Sequence, residues 1–279
     1  MVSKLKARGD DIHCCDIKDG CDARELFRCD TSIYDLVVHC AYHVGGRAQI
    51  NNNRSLLAMN LELDAMMFDW VARTGQRRVL YFSSSAAYPI VHQQYGSSIR
   101  LNEGLIDLNR TLQPDADYGW SKLTGERLAH NLNRAGVPVH VVRPFSGYGE
   151  DQDPDEYPFP AIVRRVCRGD LVVWGPPGQC RDWIHIDDVV AGALEIVGRN
   201  EREPVNLCTG IATEFGDLAL AIAEQSQTFS VLRNVRPTYD VNQPTGVMYR
   251  VGNPTRMLRF REPSISLRQG IDRALKARG

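Results

Sequence analysis

The chain has 279 residues, 43% of them apolar, and its charges nearly cancel at a net −1. That length supports a real hydrophobic core in one large domain or two closely joined ones. The balanced charge excludes the basic face that nucleic-acid binding needs, and no apolar run is long enough to span a membrane.

In chain order, Val2 to Arg8 is an amphipathic helix that Gly9 stops, and Met1 leads straight into it, so no signal peptide is expected. Ile12-His13-Cys14-Cys15-Asp16-Ile17 is expected to form a strand ending in a carboxylate, and Leu36 to Ala41 a second, buried one. Asn60 to Arg73 is a helix with an apolar face at Leu61, Ala65, Phe68 and Ala72; strands follow at Arg78–Phe82 and Val139–Pro144. A helix from about Tyr118 to Ala135 lies between those two strands. Strands alternating with helices predict a parallel sheet covered on both faces. From Phe145 the texture changes to Gly, Pro and acidic residues. Short elements then follow at Ala161–Cys167, Leu171–Trp174, Ile184–His185, Asp187–Val197, Asp217–Gln225 and Leu267–Lys276. Residues 1–145 are therefore read as a dinucleotide-binding domain and 146–279 as a smaller substrate domain, with some chain returning to the sheet. The eight cysteines, Cys14, Cys15, Cys21, Cys29, Cys40, Cys167, Cys180 and Cys208, form no C-x-x-C pair. No metal is expected, and the thiols read as free, several of them buried, in a reducing cytoplasm.

Tyr118-Gly119-Trp120-Ser121-Lys122 carries the chemistry. Tyr118 and Lys122 share a helix face at i and i+4, and an ammonium beside a phenol favours the phenolate and lowers its pKa. Such a phenol can shuttle protons near neutral pH. Ser83, Ser84 and Ser85 end the preceding strand, where a hydroxyl can polarise the same substrate oxygen. Asp16 is placed as the acid that binds ribose hydroxyls in a dinucleotide fold. Its glycine fingerprint lies about 20 residues upstream, which falls before Met1, so the first strand and glycine loop are expected to be missing. Gly45-Gly46 would let backbone approach a phosphate or sugar, or form a simple turn.

Together these residues resemble the extended short-chain dehydrogenase/reductase family of NAD-dependent nucleotide-sugar epimerases and dehydratases. The landmarks are Val38–Gly46, Asn60, Phe82–Pro89, Tyr118–Lys122, Arg143-Pro144-Phe145, Tyr148-Gly149, Gly178–Val189 and Glu203–Leu207. The resemblance implies a Rossmann-type doubly wound sheet, NAD as cofactor, a nucleotide-diphosphate sugar as substrate, and a homodimer. The dimer would form through the Asn60 and Tyr118 helices, and Met66, Met67 and Leu128 belong either to its face or, equally, to the core.

The same resemblance implies roles for single residues. Tyr118 is the acid/base, Lys122 its electrostatic partner and a ribose ligand, and Ser84 the catalytic hydroxyl, with Ser83 and Ser85 beside the cofactor and substrate. Asp16 and Ile17 lie at the adenosine ribose, Asp16 selecting NAD over NADP. Ala41, Tyr42, Val44 and Asn60 follow the cofactor path, with Pro144 and Phe145 at its nicotinamide end. Arg181 clamps the substrate diphosphate, and Arg250 is a second candidate.

Val44-Gly45-Gly46 and Tyr88-Pro89 look like GDP-mannose 3,5-epimerase and GDP-fucose synthase. Where those carry an acid/base cysteine this chain has Ala86, and their second acid/base falls around Tyr157 to Phe159. Gln152-Asp153-Pro154 and Glu156-Tyr157 look like the UDP-hexose 4-epimerases. An epimerase is the leading expectation. A reductase or 4,6-dehydratase is the alternative, and a non-catalytic sugar-nucleotide or partner-binding protein is the rival of another class.

Overall fold

The computed structural model describes residues 1–278. Val37–His39, Val79–Phe82, Val139–Pro144 and Val205–Leu207 form an all-parallel sheet in that spatial order. The runs are continuous apolar segments rich in valine because both faces are covered. Side chains alternate along each strand. Val79, Tyr81, Val139 and Val141 meet the Leu56–Thr74 and Ala116–Arg134 helices on one face. Leu80, Val142, Val205 and Leu207 meet the Ile186–Gly198 helix on the other. The doubly wound α/β architecture is therefore the one the alternation of elements predicts.

The later chain forms smaller parallel pairs, Ser146–Tyr148 with Trp183–His185 and Val172–Trp174 with Thr238–Asp240. Cys180–Arg181 pairs with Tyr249–Arg250 and, antiparallel, with Thr213–Glu214. A second core of Tyr148, Phe159, Val163, Trp183, Leu218 and Ile271 lies beneath them.

Several expectations are corrected. Residues 12–16 belong to no strand, because no neighbouring strand lies against them among the described residues. Asp16 instead caps a short turn, Ile17–Asp19, which ends at Gly20 in the left-handed region at φ +82°. That turn brings Cys15 and Cys21 to a Cα separation of 5.0 Å, within bridging range, and they form a disulfide rather than free thiols. Of the free cysteines only Cys208 is fully buried; Cys14, Cys29, Cys40 and Cys167 are exposed. The Leu56–Thr74 helix buries Leu56, Leu63, Met67, Phe68, Trp70 and Val71, whereas Ala65 and Ala72 face outward. The helix is wedged between the sheet, the Ala116–Arg134 helix and the Ala23–Cys29 helix, which its sequence alone did not reveal. Met67 is wholly inside this core and cannot serve an outer dimer face; Met66 and Leu128 are partly buried against the same core. Among the described residues no helix is long and apolar enough to cross a membrane, and no cluster of metal-ligating side chains is found.

A buried ion pair ties the sheet to the helix beside it. Arg143 donates from Nη2 and Nε to Glu126 at 2.6 and 2.8 Å. Ser83 donates its hydroxyl to the same carboxylate at 2.5 Å, and Arg143 reaches the Tyr88 hydroxyl at 3.1 Å. Replacing Glu126 by Leu leaves the Arg143 charge buried and unpaired, so the variant should lose about 3–5 kcal/mol of stability. Urea unfolding read by far-UV circular dichroism checks this.

Candidate active site

The strand Val79–Phe82 ends in Ser83-Ser84-Ser85, and Ser84 caps the next turn by accepting the Ala86 N–H at 3.1 Å. The Ala116–Arg134 helix lies hard against this turn. A Cβ on Gly119 would collide with the Ala86 carbonyl oxygen, and Asp115 donates its N–H to that oxygen at 3.0 Å. The approach brings Tyr118 to Ser84. Of the three serines only Ser84 lines the adjoining cleft; Ser83 and Ser85 are buried behind it.

Burial pushes the Tyr118 phenol up to about 12, while the nearby Ser84 hydroxyl and the charge of Arg250 draw it down. The sequence led us to expect Lys122 to lower it. The ammonium instead turns toward the sheet: it donates to the Phe82 carbonyl at 2.8 Å and sits 3.1 Å above the centre of the Tyr42 ring. It lies 5.9 Å from the centre of the Tyr118 ring. Burial pulls Lys122 down to about 8, against the opposing charge of Asp64. Asp64 is itself buried and accepts from the Tyr81 hydroxyl at 2.6 Å and the Tyr42 hydroxyl at 3.1 Å.

The cleft encloses about 290 Å³ and gathers residues from distant parts of the chain. Ser84, Ala86, Tyr118 and Tyr157 share its lining with Arg181 and Arg250. Phe159 is buried in the second core instead. Arg181 makes one hydrogen bond, to its neighbour's carbonyl (Cys180 O, 2.8 Å), and burial with repulsion from Arg250 pulls it down to about 9. A half-buried cation so poorly paired is a ready anion ligand. Arg250 donates to Gln93 and Asp115, both at 2.6 Å. Arg47 and Asp115 also line the cleft and went unnoticed in the sequence. Each is a single charge at the start of a helix, and only the folded chain brings them together. One local signal exists: Ala116, next to Asp115, holds a left-handed φ of +56°, strain of about 1–3 kcal/mol typical of functional sites. Gly46 faces the Glu156 carbonyl, so its missing Cβ makes room for a neighbouring loop rather than for open approach of a ligand.

The residues expected along a cofactor path lie outside this cleft. Asp16 is exposed, its carboxylate accepting the Lys18 N–H at 2.9 Å, and Ile17 is 68% exposed. Ala41 lines a separate hollow of about 160 Å³ with His13, Cys15 and Cys40, to which neither Asp16 nor Ile17 contributes. Val44 is exposed. Asn60 is buried and pins the backbone of His43 through bonds of 2.8 and 3.0 Å. Tyr42 packs edge-on to Tyr118. Pro144 ends a sheet strand, and Phe145 is buried against Tyr88. The residues at the catalytic end fit a dinucleotide: the Lys122 ammonium has three donors and one oxygen partner, beside Tyr118, which leaves N–H groups for ribose hydroxyls.

The profile of the NAD dependent epimerase/dehydratase family matches residues 2–208. The chain belongs to this family. It comprises NAD-dependent nucleotide-sugar epimerases, dehydratases and reductases. The chain is 27% identical over 167 residues to an uncharacterized UDP-glucose epimerase of Bacillus subtilis, covering 59% of this chain and 49% of that one. It thus spans about half the length of that relative. It is 24% identical over 245 residues to GDP-L-fucose synthase of Escherichia coli, covering 80% of this chain and 73% of the other. Among solved structures, RMD from Pseudomonas aeruginosa, complexed with NADPH, superposes with a TM-score of 0.77 at 21% identity. That match covers 95% of this chain and 87% of the other. The family members thus share a Rossmann-type fold and take NAD or NADPH.

The shifted lysine has a pH signature. Lys122 titrates at about 8 when folded and at 10.5 when free, so between those values the unfolded chain holds more protons and stability rises with pH. Above about pH 10 the tyrosines raised by burial, Tyr118 among them, reverse the slope, because the folded chain then holds more protons. Lys122→Met should remove the rise that begins near pH 8 and leave only the later one that Arg181, pulled down to about 9, contributes. Urea midpoints of both proteins across that window test it.

Proposed function

We propose that the chain is an NAD-dependent epimerase acting on a nucleotide-diphosphate sugar. The observation that supports this reading most is the shared cleft, which brings the Ser84 hydroxyl and the Tyr118 phenol together with the guanidiniums of Arg250 and of the sparsely bonded Arg181. In this reading Arg181 and Arg250 hold the substrate diphosphate in forked hydrogen bonds. Tyr118 takes the proton of a sugar hydroxyl as that carbon becomes a carbonyl and returns it on the reverse step. Ser84 donates a hydrogen bond to the same sugar oxygen. Lys122 holds the cofactor ribose and favours the Tyr118 phenolate. NAD, when bound, supplies reversible hydride acceptance at the sugar carbon. Residues 1–145 carry the cofactor side and 146–279 most of the sugar-nucleotide side.

A second reading is a nucleotide-sugar reductase. It draws support from the Escherichia coli GDP-L-fucose synthase, which matches 80% of this chain against 59% for the Bacillus epimerase. Turnover of UDP-, GDP- and dTDP-sugars separates the two: an epimerase interconverts sugars with no net change in NAD, whereas a reductase consumes NADH or NADPH stoichiometrically.

Under either reading Tyr118→Phe should lower kcat by roughly 10²–10⁴-fold. Sugar-nucleotide affinity should stay near wild type, as measured by calorimetry. Undiminished turnover would remove Tyr118 from the chemistry.

A further inference from the structure

Two charged residues in the cleft have no part in that reaction scheme. Arg47 opens the short Arg47–Asn52 helix, and Asp115 is the residue on which the Tyr118 helix starts. Arg47 donates from Nη1 to both Asp115 oxygens at 3.0 and 3.1 Å and from Nη2 to Oδ1 at 3.0 Å, and its Nε reaches the Thr245 carbonyl at 3.2 Å. Asp115 also receives Arg250 Nη2 at 2.6 Å, and Gln93 fixes the other side of that guanidinium. One buried carboxylate therefore sets the positions of two arginines that come from opposite ends of the chain. Arg181 stands among them and feels both as repulsive charges.

An acid in an anion site is a paradox if it acts only through its charge, since it repels the ligand. It makes sense as a brace. Without it, three like charges on long side chains would drive one another outward.

We propose that Asp115 is a positioning residue for diphosphate recognition, spacing Arg47 and Arg250 around Arg181 to receive a nucleoside diphospho-sugar. With Arg165, Asp155 and Glu156 also on the lining, four guanidiniums stand against three carboxylates, so the cleft keeps a net positive charge that suits an anionic diphosphate. The inference rests on the nucleotide-sugar reading of the cleft and adds Asp115 and Arg47 to it.

The test is calorimetric titration of the full chain with UDP-glucose, GDP-mannose and dTDP-glucose. It compares wild type with Asp115→Asn, Arg47→Lys and Arg181→Ala. Asp115→Asn adds net positive charge, so simple electrostatics predicts tighter binding of the anion. A positioning role predicts the opposite sign, a Kd weakened roughly tenfold or more. Arg47→Lys keeps the charge but loses the fork and should also weaken binding. It serves as the reporter if Asp115→Asn does not fold. Unchanged or tighter binding in these two variants, with binding lost in Arg181→Ala, would overturn the brace and leave the nucleotide-sugar reading standing. A wild-type chain that binds none of the three ligands would overturn both.

Discussion

The close contact between the Ala116–Arg134 helix and the Ser83–Tyr88 turn is the constraint on which the site depends. Two glycines on that helix permit it. A Cβ at Gly119 would strike the Ala86 carbonyl, and one at Gly125 would strike the Tyr81 hydroxyl and the Asp64 carboxylate. Each glycine costs about 1 kcal/mol of helix propensity relative to alanine. What is gained is a helix that presses its backbone onto the end of the sheet. Tyr118 therefore meets Ser84, and Lys122 is directed under the strand end to the Phe82 carbonyl. The Glu126–Arg143 pair, further along the same helix, fixes it from the other side.

Around this contact the charges separate into two groups. Behind the helix a buried network of Asp64, His39, Tyr42 and Tyr81 surrounds Lys122, with hydrogen bonds that satisfy the carboxylate from three directions. In front, Arg47, Arg181 and Arg250 face the cleft with Asp115 among them. The rear carboxylate is fully satisfied, which suits a fixed scaffold, while Lys122 keeps N–H groups beyond its one oxygen partner. The front group carries surplus positive charge, which suits an anionic ligand. Tyr118 lies between the two and feels both.

Much of this was legible in the sequence, where the signal was local. Valine-rich runs announced three of the four sheet strands, with Val205–Leu207 missed, and Tyr118 from its motif meets Ser84, Arg181 and Arg250, which the family resemblance implied, in one cleft. The failures share a cause, dependence on distant partners. The Arg47 and Asp115 contact spans 68 positions and the Asp115 and Arg250 contact 135, so no window of sequence contains either. A strand exists only beside another strand, and the apolar run ending at Asp16 has no such neighbour among the described residues. For Lys122 the i, i+4 spacing placed the residue correctly on the helix. It says nothing of where a four-carbon stem carries its ammonium, and here that is over the ring of Tyr42.

The order in which Tyr118 and Lys122 release protons limits how the site can work. With the phenol pushed up to about 12 and the ammonium pulled down to about 8, rising pH strips the lysine first. A phenolate beside an ammonium, the pair that would move a sugar proton, requires the reverse order. An anion held by Arg250 does not provide it, because it offsets one of the charges that draws the phenol down. The correction must come on the lysine side. Lys122 has one oxygen partner for three N–H groups, and further hydroxyl partners would stabilise its charged form against burial. A charged Lys122 would then restore the pull on Tyr118 that the diphosphate weakens. On the reading proposed above, in which a cofactor ribose meets Lys122, its arrival and the activation of the phenol would be a single event.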